Sequence, residues 1–157
     1  MSETIQVVSF KLGSEEYGVD IAQVQEINRM VAVTHVPRAP QFMEGVINLR
    51  GQLIPIIDLR ARFGMQRAEH SKNTRIVVTE IGTKRVGMVV DSVSEVLRLA
   101  VDQIEPAPEM ITGVDTEYIR GVGKIEDRLI ILLDLAKIIT GSEKRELDAA
   151  DVEAVAA

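Results

Sequence analysis

The chain has 157 residues, a net charge of −6 at pH 7, 46 % hydrophobic residues and only 3 % aromatic ones, enough apolar material for one domain or two small lobes packed together. An acidic chain with so few rings offers neither the basic stripe nor the stacking platform that nucleic-acid binding needs. With no cysteine, disulfides and thiolate metal sites are excluded and a reducing compartment suits it. Met1-Ser2-Glu3-Thr4-Ile5-Gln6 lacks the features of a signal peptide. The longest apolar run, Leu129 to Leu133, is too short to span a bilayer, so a cytoplasmic protein with no direct membrane contact is expected.

Ile5 to Leu12 is rich in β-branched and aromatic residues and ends at Gly13-Ser14, which predicts a strand and a turn. Glu15 to Val19 reads as its hairpin partner, and Asp20 can cap one helical turn over Ile21-Ala22-Gln23. From Val24 to Val33 helix and strand compete: Val24 and Ile27 suit a helix, whereas the β-branched content and Thr34-His35-Val36-Pro37 favour a strand. Pro37 and Pro40 then enforce a loop. Gly45-Val46-Ile47-Asn48-Leu49-Arg50-Gly51-Gln52-Leu53-Ile54-Pro55-Ile56-Ile57-Asp58-Leu59 reads as a β-hairpin turning at Arg50-Gly51, with a short helix capped by Asp58 and stopped by Gly64. Met65 to Asn73 is polar and is the best linker.

The pattern then restarts. Thr74 to Ile81 and Lys84 to Val90 read as two strands around Gly82-Thr83. Gly87 stands for Gly18, Val93 for Val24 and Glu95 for Glu26 at an offset of 69, and the hairpin returns ungapped from Gly121 to Leu135 at an offset of 76, with Tyr118 in the place of Phe42. The seven extra residues fall in Asp102 to Asp115, a proline-bearing loop. A short helix should follow from Leu135 to Thr140. The tail, 142–157, is alanine-rich and carries five acids against two bases, which predicts a fraying helix or disorder.

An internal duplication of a roughly five-strand unit implies an all-β fold of two small barrels with short helical segments. The globular part should run over 5–141, with a first lobe over roughly 14–70, a second over roughly 71–141, and an N-terminal strand that could cross between them. Each copy alone has a thin core. The lobes should therefore bury a shared apolar seam with a groove along it.

No catalytic constellation emerges. Asp58 and Asp134 at matching places could be imagined as paired acids, but each follows an apolar strand where a helix cap belongs. His35 and His70 have no partner at metal-ligand spacing, Gly121-Val122-Gly123 lacks the third glycine and helix of a phosphate loop, and neither a serine elbow nor a zinc-protease motif is present. No cofactor, metal or enzymatic activity is expected. The methionines, Met30, Met43 and Met110 among them, fit a core or an adaptable surface. Arg50 stands out: five donors in a fixed plane, at a turn that many residues would tolerate.

Tyr17-Gly18-Val19-Asp20-Ile21, Val24-Gln25-Glu26-Ile27, the Asn48-Leu49-Arg50-Gly51 turn, Ile54-Pro55-Ile56-Ile57-Asp58-Leu59, Val86-Gly87-Met88-Val89-Val90-Asp91 and Ile104-Glu105-Pro106-Ala107-Pro108 together resemble CheW, the coupling-protein family of bacterial chemotaxis. The resemblance runs from about Gln6 to Thr140, and Asn-Leu-Arg-Gly is its most specific part. It implies a non-catalytic adaptor of two SH3-like five-stranded barrels, binding the regulatory domain of the histidine kinase CheA and the cytoplasmic tip of chemoreceptors. By that likeness the signature arginine is Arg50, its partner is Glu26, and Val24 and Gly45 belong to the binding surface, with Ile27 and Asn48 beside them. Because Glu126-Asp127 replaces Arg50-Gly51 in the second copy, the charge pair should belong to the first lobe alone. The alternative is a ligand-binding β-barrel of another signalling assembly, which would need an aromatic platform or a basic stripe.

Overall fold

The structure, a computed structural model, describes residues 3–66, 69–106 and 118–138. Its strands are β1 (Thr4–Leu12), β2 (Glu15–Asp20), β3 (Val24–Arg29), β4 (Met43–Leu49), β5 (Gln52–Asp58), β6 (Arg75–Ile81), β7 (Lys84–Val90), β8 (Ser92–Ala100), β9 (Ile104–Glu105), β10 (Ile119–Ile125) and β11 (Arg128–Leu133), with short helices α1 (Leu59–Arg62) and α2 (Leu135–Ile138). The ambiguous stretch after Val24 is a strand. Asp20, Asp58 and Asp134 are spent on capping, accepting from the backbone N–H groups of Ala22 (2.9 Å), Arg60 (2.9 Å) and Ala136 (3.1 Å). Most of the expected 102–115 loop, the end of the last helix and the tail lie outside the described residues, and Ile104–Glu105 at the loop's start is a short strand.

The strands form two sheets, one ordered β8-β1-β2-β11-β10-β9 and the other β3-β6-β7-β5-β4. The two repeated hairpins sit in different sheets, as two β lobes require. The division at residue 71 is corrected, however. Both N-terminal strands, β1 and β2, join the sheet of β8–β11, and β6 and β7 join that of β3–β5. Each sheet therefore takes its first hairpin from one sequence copy and its remaining strands from the other. The joins are the only parallel pairs in the described sheets, Ile56 beside Gly87 and Leu132 beside Gly18, which are the same join repeated. A tight turn can only make antiparallel neighbours, and a parallel partner must arrive by a long connection. The polar linker marks where the chain crosses the surface, not where a sheet ends. The sheet holding β1 also has six strands where five were expected, the sixth being the two-residue β9.

The alternation of side chains explains the near-continuous apolar runs. Along β6, Ile76 and Val78 enter the core of one lobe, while Val77 and Ile81 enter the seam between lobes; along β7, Val89 faces the first and Val86, Met88 and Val90 the second. Both faces are buried, so no polar side is needed. Among the described residues the lobe cores hold only six buried side chains (around Ile54, Ile56 and Ile76) and four (Val7, Leu99, Ile130 and Leu132), against twenty-one in the seam. At about 1.5–3 kcal/mol for each fully buried aliphatic side chain, the seam and not either lobe is the principal core.

All five aromatic residues of the chain lie there. Phe10 stacks on Tyr17, Tyr17 on Phe63 and Phe63 on Tyr118, with centroids 5.8–6.0 Å apart. Arg62 lies over the repeat-related rings of Phe42 (4.7 Å) and Tyr118 (5.2 Å), and donates through Nε to the Ile138 carbonyl at 2.7 Å. A second tie between lobes is polar: Asp91, where the chain passes from β7 to β8, accepts from the Arg60 guanidinium (Nε at 2.9 Å and Nη2) and from the Gly13 N–H at 2.8 Å.

Two outcomes test this packing. A Cβ on Gly87 would come within 2.5 Å of Ile56 Cδ1 and 2.8 Å of Ile76 Cγ2, whereas one on Gly18 meets nothing nearer than 3.1 Å. Gly87→Ala should cost about 1–3 kcal/mol and Gly18→Ala less, measured by urea unfolding. For Asp91, the Arg60 hydrogen bond, helped by the Gly13 N–H and opposed by burial, lowers the carboxyl below its ordinary 3.8. A depressed carboxylate contributes stability that is present above the unfolded value and lost as pH falls through the folded one. Unfolding curves between pH 5 and pH 2 should thus show a smaller loss in Asp91→Asn than in the parent; equal losses would remove this tie from the acid response.

Candidate functional site

At one end of the β3-β6-β7-β5-β4 sheet, the β4–β5 hairpin turns through Arg50 (φ 51°) and Gly51 (φ 84°), both left-handed, the geometry of a two-residue type I′ turn. Asn48 Oδ1 accepts from the Gly51 N–H at 2.9 Å and fixes the turn. Glu126 takes the same left-handed backbone (φ 53°) at the matching turn of the other lobe, so this conformation belongs to the repeated hairpin, and what sets Arg50 apart is its side chain.

Arg50 reaches across to β3, the opposite edge strand of the sheet. Its Nη1 donates to Glu26 Oε1 at 3.2 Å and its Nη2 to Glu26 Oε2, a two-pronged contact. Asn28, two residues along the same strand face, donates to Glu26 Oε1 at 2.8 Å. These two contacts, Arg50 before Asn28, hold the Glu26 carboxyl below its usual range. The Arg50 side chain remains 68 % exposed and that of Glu26 24 %, so the pair lies in water and salt screens it. What it provides is orientation: one edge of a planar guanidinium is occupied by the carboxylate and the other is held out toward solvent.

Of the other expected residues, Ile27 is 40 % exposed on the outer face of β3, and Asn48 is exposed beside Arg50. Val24 is half-buried against the seam. Gly45 is buried, and a Cβ there would strike the Thr34 carbonyl and come within 2.6 Å of Val33 Cγ1. Thr34 and Val46 exchange backbone hydrogen bonds at 2.9 Å across this glycine. Gly121 does the same work in the other lobe, where a Cβ would lie 3.1 Å from the Glu105 carbonyl. A requirement present in both copies belongs to folding, so the structure gives Gly45 a packing role, in the hairpin that carries Arg50.

The expectation that only the first copy pairs its glutamate is also corrected. Glu95, the counterpart of Glu26, accepts from Arg128 Nη1 at 2.9 Å, and Arg128 further holds Glu16 through Nε (3.1 Å) and Nη2 (2.6 Å). Both lobes brace this glutamate with an arginine. What differs is the source: Arg50 stands on the turn itself, whereas Arg128 stands on the strand behind an acidic Glu126-Asp127 turn. Asn28 and Arg128 went unnoticed in the sequence. Asn28 had a signal in its period-two spacing from Glu26, but nothing at the level of spacing assigns Arg128 to Glu95.

Among the described residues no group of three or more His, Asp or Glu side chains could hold a metal. His70 sits 3.0 Å from Glu44, and His35 is exposed. Two surface clefts of about 450 and 490 Å³ are lined by one lobe each, the second with part of the linker.

Gly45→Ala and Arg50→Ala should separate packing from presentation. The first forces a backbone carbonyl aside and should lower the melting temperature by several degrees, at about 2–4 °C per kcal/mol in a chain of this size. The second removes a screened, exposed contact and should leave melting nearly unchanged. Thermal melts followed by circular dichroism check both.

A family model described as the CheW-like domain matches residues 6–143. The chain is 45 % identical over 139 residues to the chemotaxis protein CheW of Klebsiella aerogenes, covering 88 % of this chain and 84 % of that one. It is 38 % identical over 141 residues to the CheW of Rhizobium meliloti, covering 90 % of each. Among solved structures, the crystal structure of the scaffolding protein TtCheW from Thermoanaerobacter tengcongensis superposes with a TM-score of 0.82 at 38 % identity, covering 91 % of this chain and 92 % of that one. With two β lobes, the braced Arg50 turn and a family match over nearly the whole chain, this protein belongs to the CheW-like domain family.

Proposed function

We propose that the chain is a non-catalytic adaptor of bacterial chemotaxis, working in the cytoplasm to couple chemoreceptors to the CheA histidine kinase without a cofactor. The observation that carries this reading is Arg50, an exposed arginine whose plane is set by Glu26. The family match and the scaffolding role of TtCheW, a structural relative at 38 % identity, support the same class of function.

In this reading the kinase regulatory domain meets the end of the lobe where Arg50, Glu26, Asn48 and Ile27 lie, with Val24 behind them. An exposed arginine with its plane fixed is a residue type enriched in interface hot spots, and Ile27 lies on the other face of the same strand. By the family likeness the receptor tip, a helical hairpin, is assigned to the junction of the lobes, as an amphipathic helix docked by its apolar face. Gly45 contributes by keeping β4 and the Thr34 segment in contact.

The deciding experiment measures kinase binding, receptor-dependent kinase activation and melting on one protein, Arg50→Ala. Expected are an unchanged melt, kinase binding weaker by roughly tenfold and impaired activation. Arg50→His should be nearly as damaging, because the five-donor fork is lost. Unchanged activation would remove Arg50 from the function, and a large drop in melting temperature would make it structural. A receptor fragment and the kinase domain should bind together; mutual exclusion would overturn the two-surface arrangement.

A further inference from the structure

The cleft of about 490 Å³ shares no lining residue with the Arg50 contact and is lined by Arg29, Met30, Ser71, Lys72, Asn73, Thr74 and Arg75. Its seven residues include three cations and no acid, in a chain whose net charge is −6. Arg29 and Arg75 are directly opposite in the antiparallel β3–β6 pair, so both side chains leave the sheet on the same face, where like charges repel. Lys72, in the turn entering β6, adds a third charge. Among the described residues neither Arg29 nor Lys72 has a carboxylate or hydrogen-bond partner to neutralise it.

Arg75 is held differently. Its Nη1 donates to the carbonyls of Lys72 (2.8 Å) and Thr74 (2.9 Å), which fixes the guanidinium plane and leaves Nε and Nη2 for another acceptor. The turn beneath it is itself tied, Ser71 N–H to Thr74 Oγ1 at 2.8 Å and Asn73 N–H to Ser71 Oγ at 3.1 Å. An oriented guanidinium, a second one from the paired strand and an ammonium around one concavity suit an anion. We propose that this cleft is a binding site for a phosphate dianion, free or as the ester on a partner.

The competing occupant, an acidic peptide, fits less well. Its charges come one per residue at about 3.3 Å along an extended chain, which calls for a long groove with apolar stations, and the only large apolar side chain in the lining is Met30. A phosphate concentrates its charge on one compact group, which suits three cations lining one small cleft. Without an aromatic ring in the lining, stacking of a nucleotide base has no platform.

The test is titration of the full ¹⁵N-labelled chain with sodium phosphate at constant ionic strength, following the amides of Lys72 to Arg75 and the Arg75 Nε–H. Saturable shifts are expected, weakened roughly tenfold for each cation removed in Arg29→Gln and Lys72→Gln. Phosphate should raise the melting temperature of the parent, and without phosphate Arg29→Gln should melt no lower than the parent because a like-charge pair is relieved. Phosphoserine amide titrated in parallel tells the ester from free phosphate by which binds more tightly. The site is overturned if the shifts do not saturate, if they survive both substitutions, or if a hexaglutamate peptide binds these residues and phosphate does not.

Discussion

The parallel pairing of β5 with β7, and of β11 with β2, is the constraint on which the rest of the structure depends. Every other extensive pairing follows from a local turn or from the edges that these joins leave open. In a sheet, a slip of one residue turns every side chain to the opposite face. Here a slip would take Gly87 away from Ile56 and Ile76, and Gly18 away from Ile130 and Leu132, replacing a close fit by a collision. The two glycines act as register marks, and the seam that holds all the aromatic rings exists only when both are in place.

On this scaffold guanidinium–carboxylate contacts serve different ends. Arg60 with Asp91 is partly sheltered and spans the lobes, with a backbone N–H filling out the carboxylate. Arg128 spans β2, β8 and β11, gathering Glu16 and Glu95 along one sheet. Arg50 with Glu26 joins the two edge strands of its sheet at the most exposed point of the three. The same chemistry reads as structure where water is partly excluded and as presentation where it is not, since screening leaves an exposed pair little to contribute beyond geometry.

Much of this was legible in the residues. Recurrence of Gly18 as Gly87 and of the hairpin at Gly121 to Leu135 located the strands, and Asp20, Asp58 and Asp134 announced the caps, because local spacing encodes local structure. Arg50 and Glu26 could be paired from the family likeness before any coordinate was known. Sheet membership was not legible: two copies with the same pattern can pair within themselves or with each other, and periodicity is identical in both cases. Nor was the burial of Gly45, which depends on the Thr34 carbonyl arriving from a proline-bearing loop, or the reach of Arg128 to Glu95, which depends on β11 lying beside β2. These are tertiary facts, decided by which apolar faces meet.

The crossed assembly also sets an order of events during synthesis. Chain emerging from the ribosome delivers β1 and β2 first, yet their sheet cannot be finished until β11 appears more than a hundred residues later. The other sheet needs nothing beyond Val90 and can close while the first hairpin still waits. For that interval Phe10, Tyr17 and Val19 lack Ile131, Leu133, Leu135 and Ile138, which complete their cluster, and this is the exposure that chaperones and aggregation both exploit. The hairpin translated first is, in this architecture, the last to be enclosed.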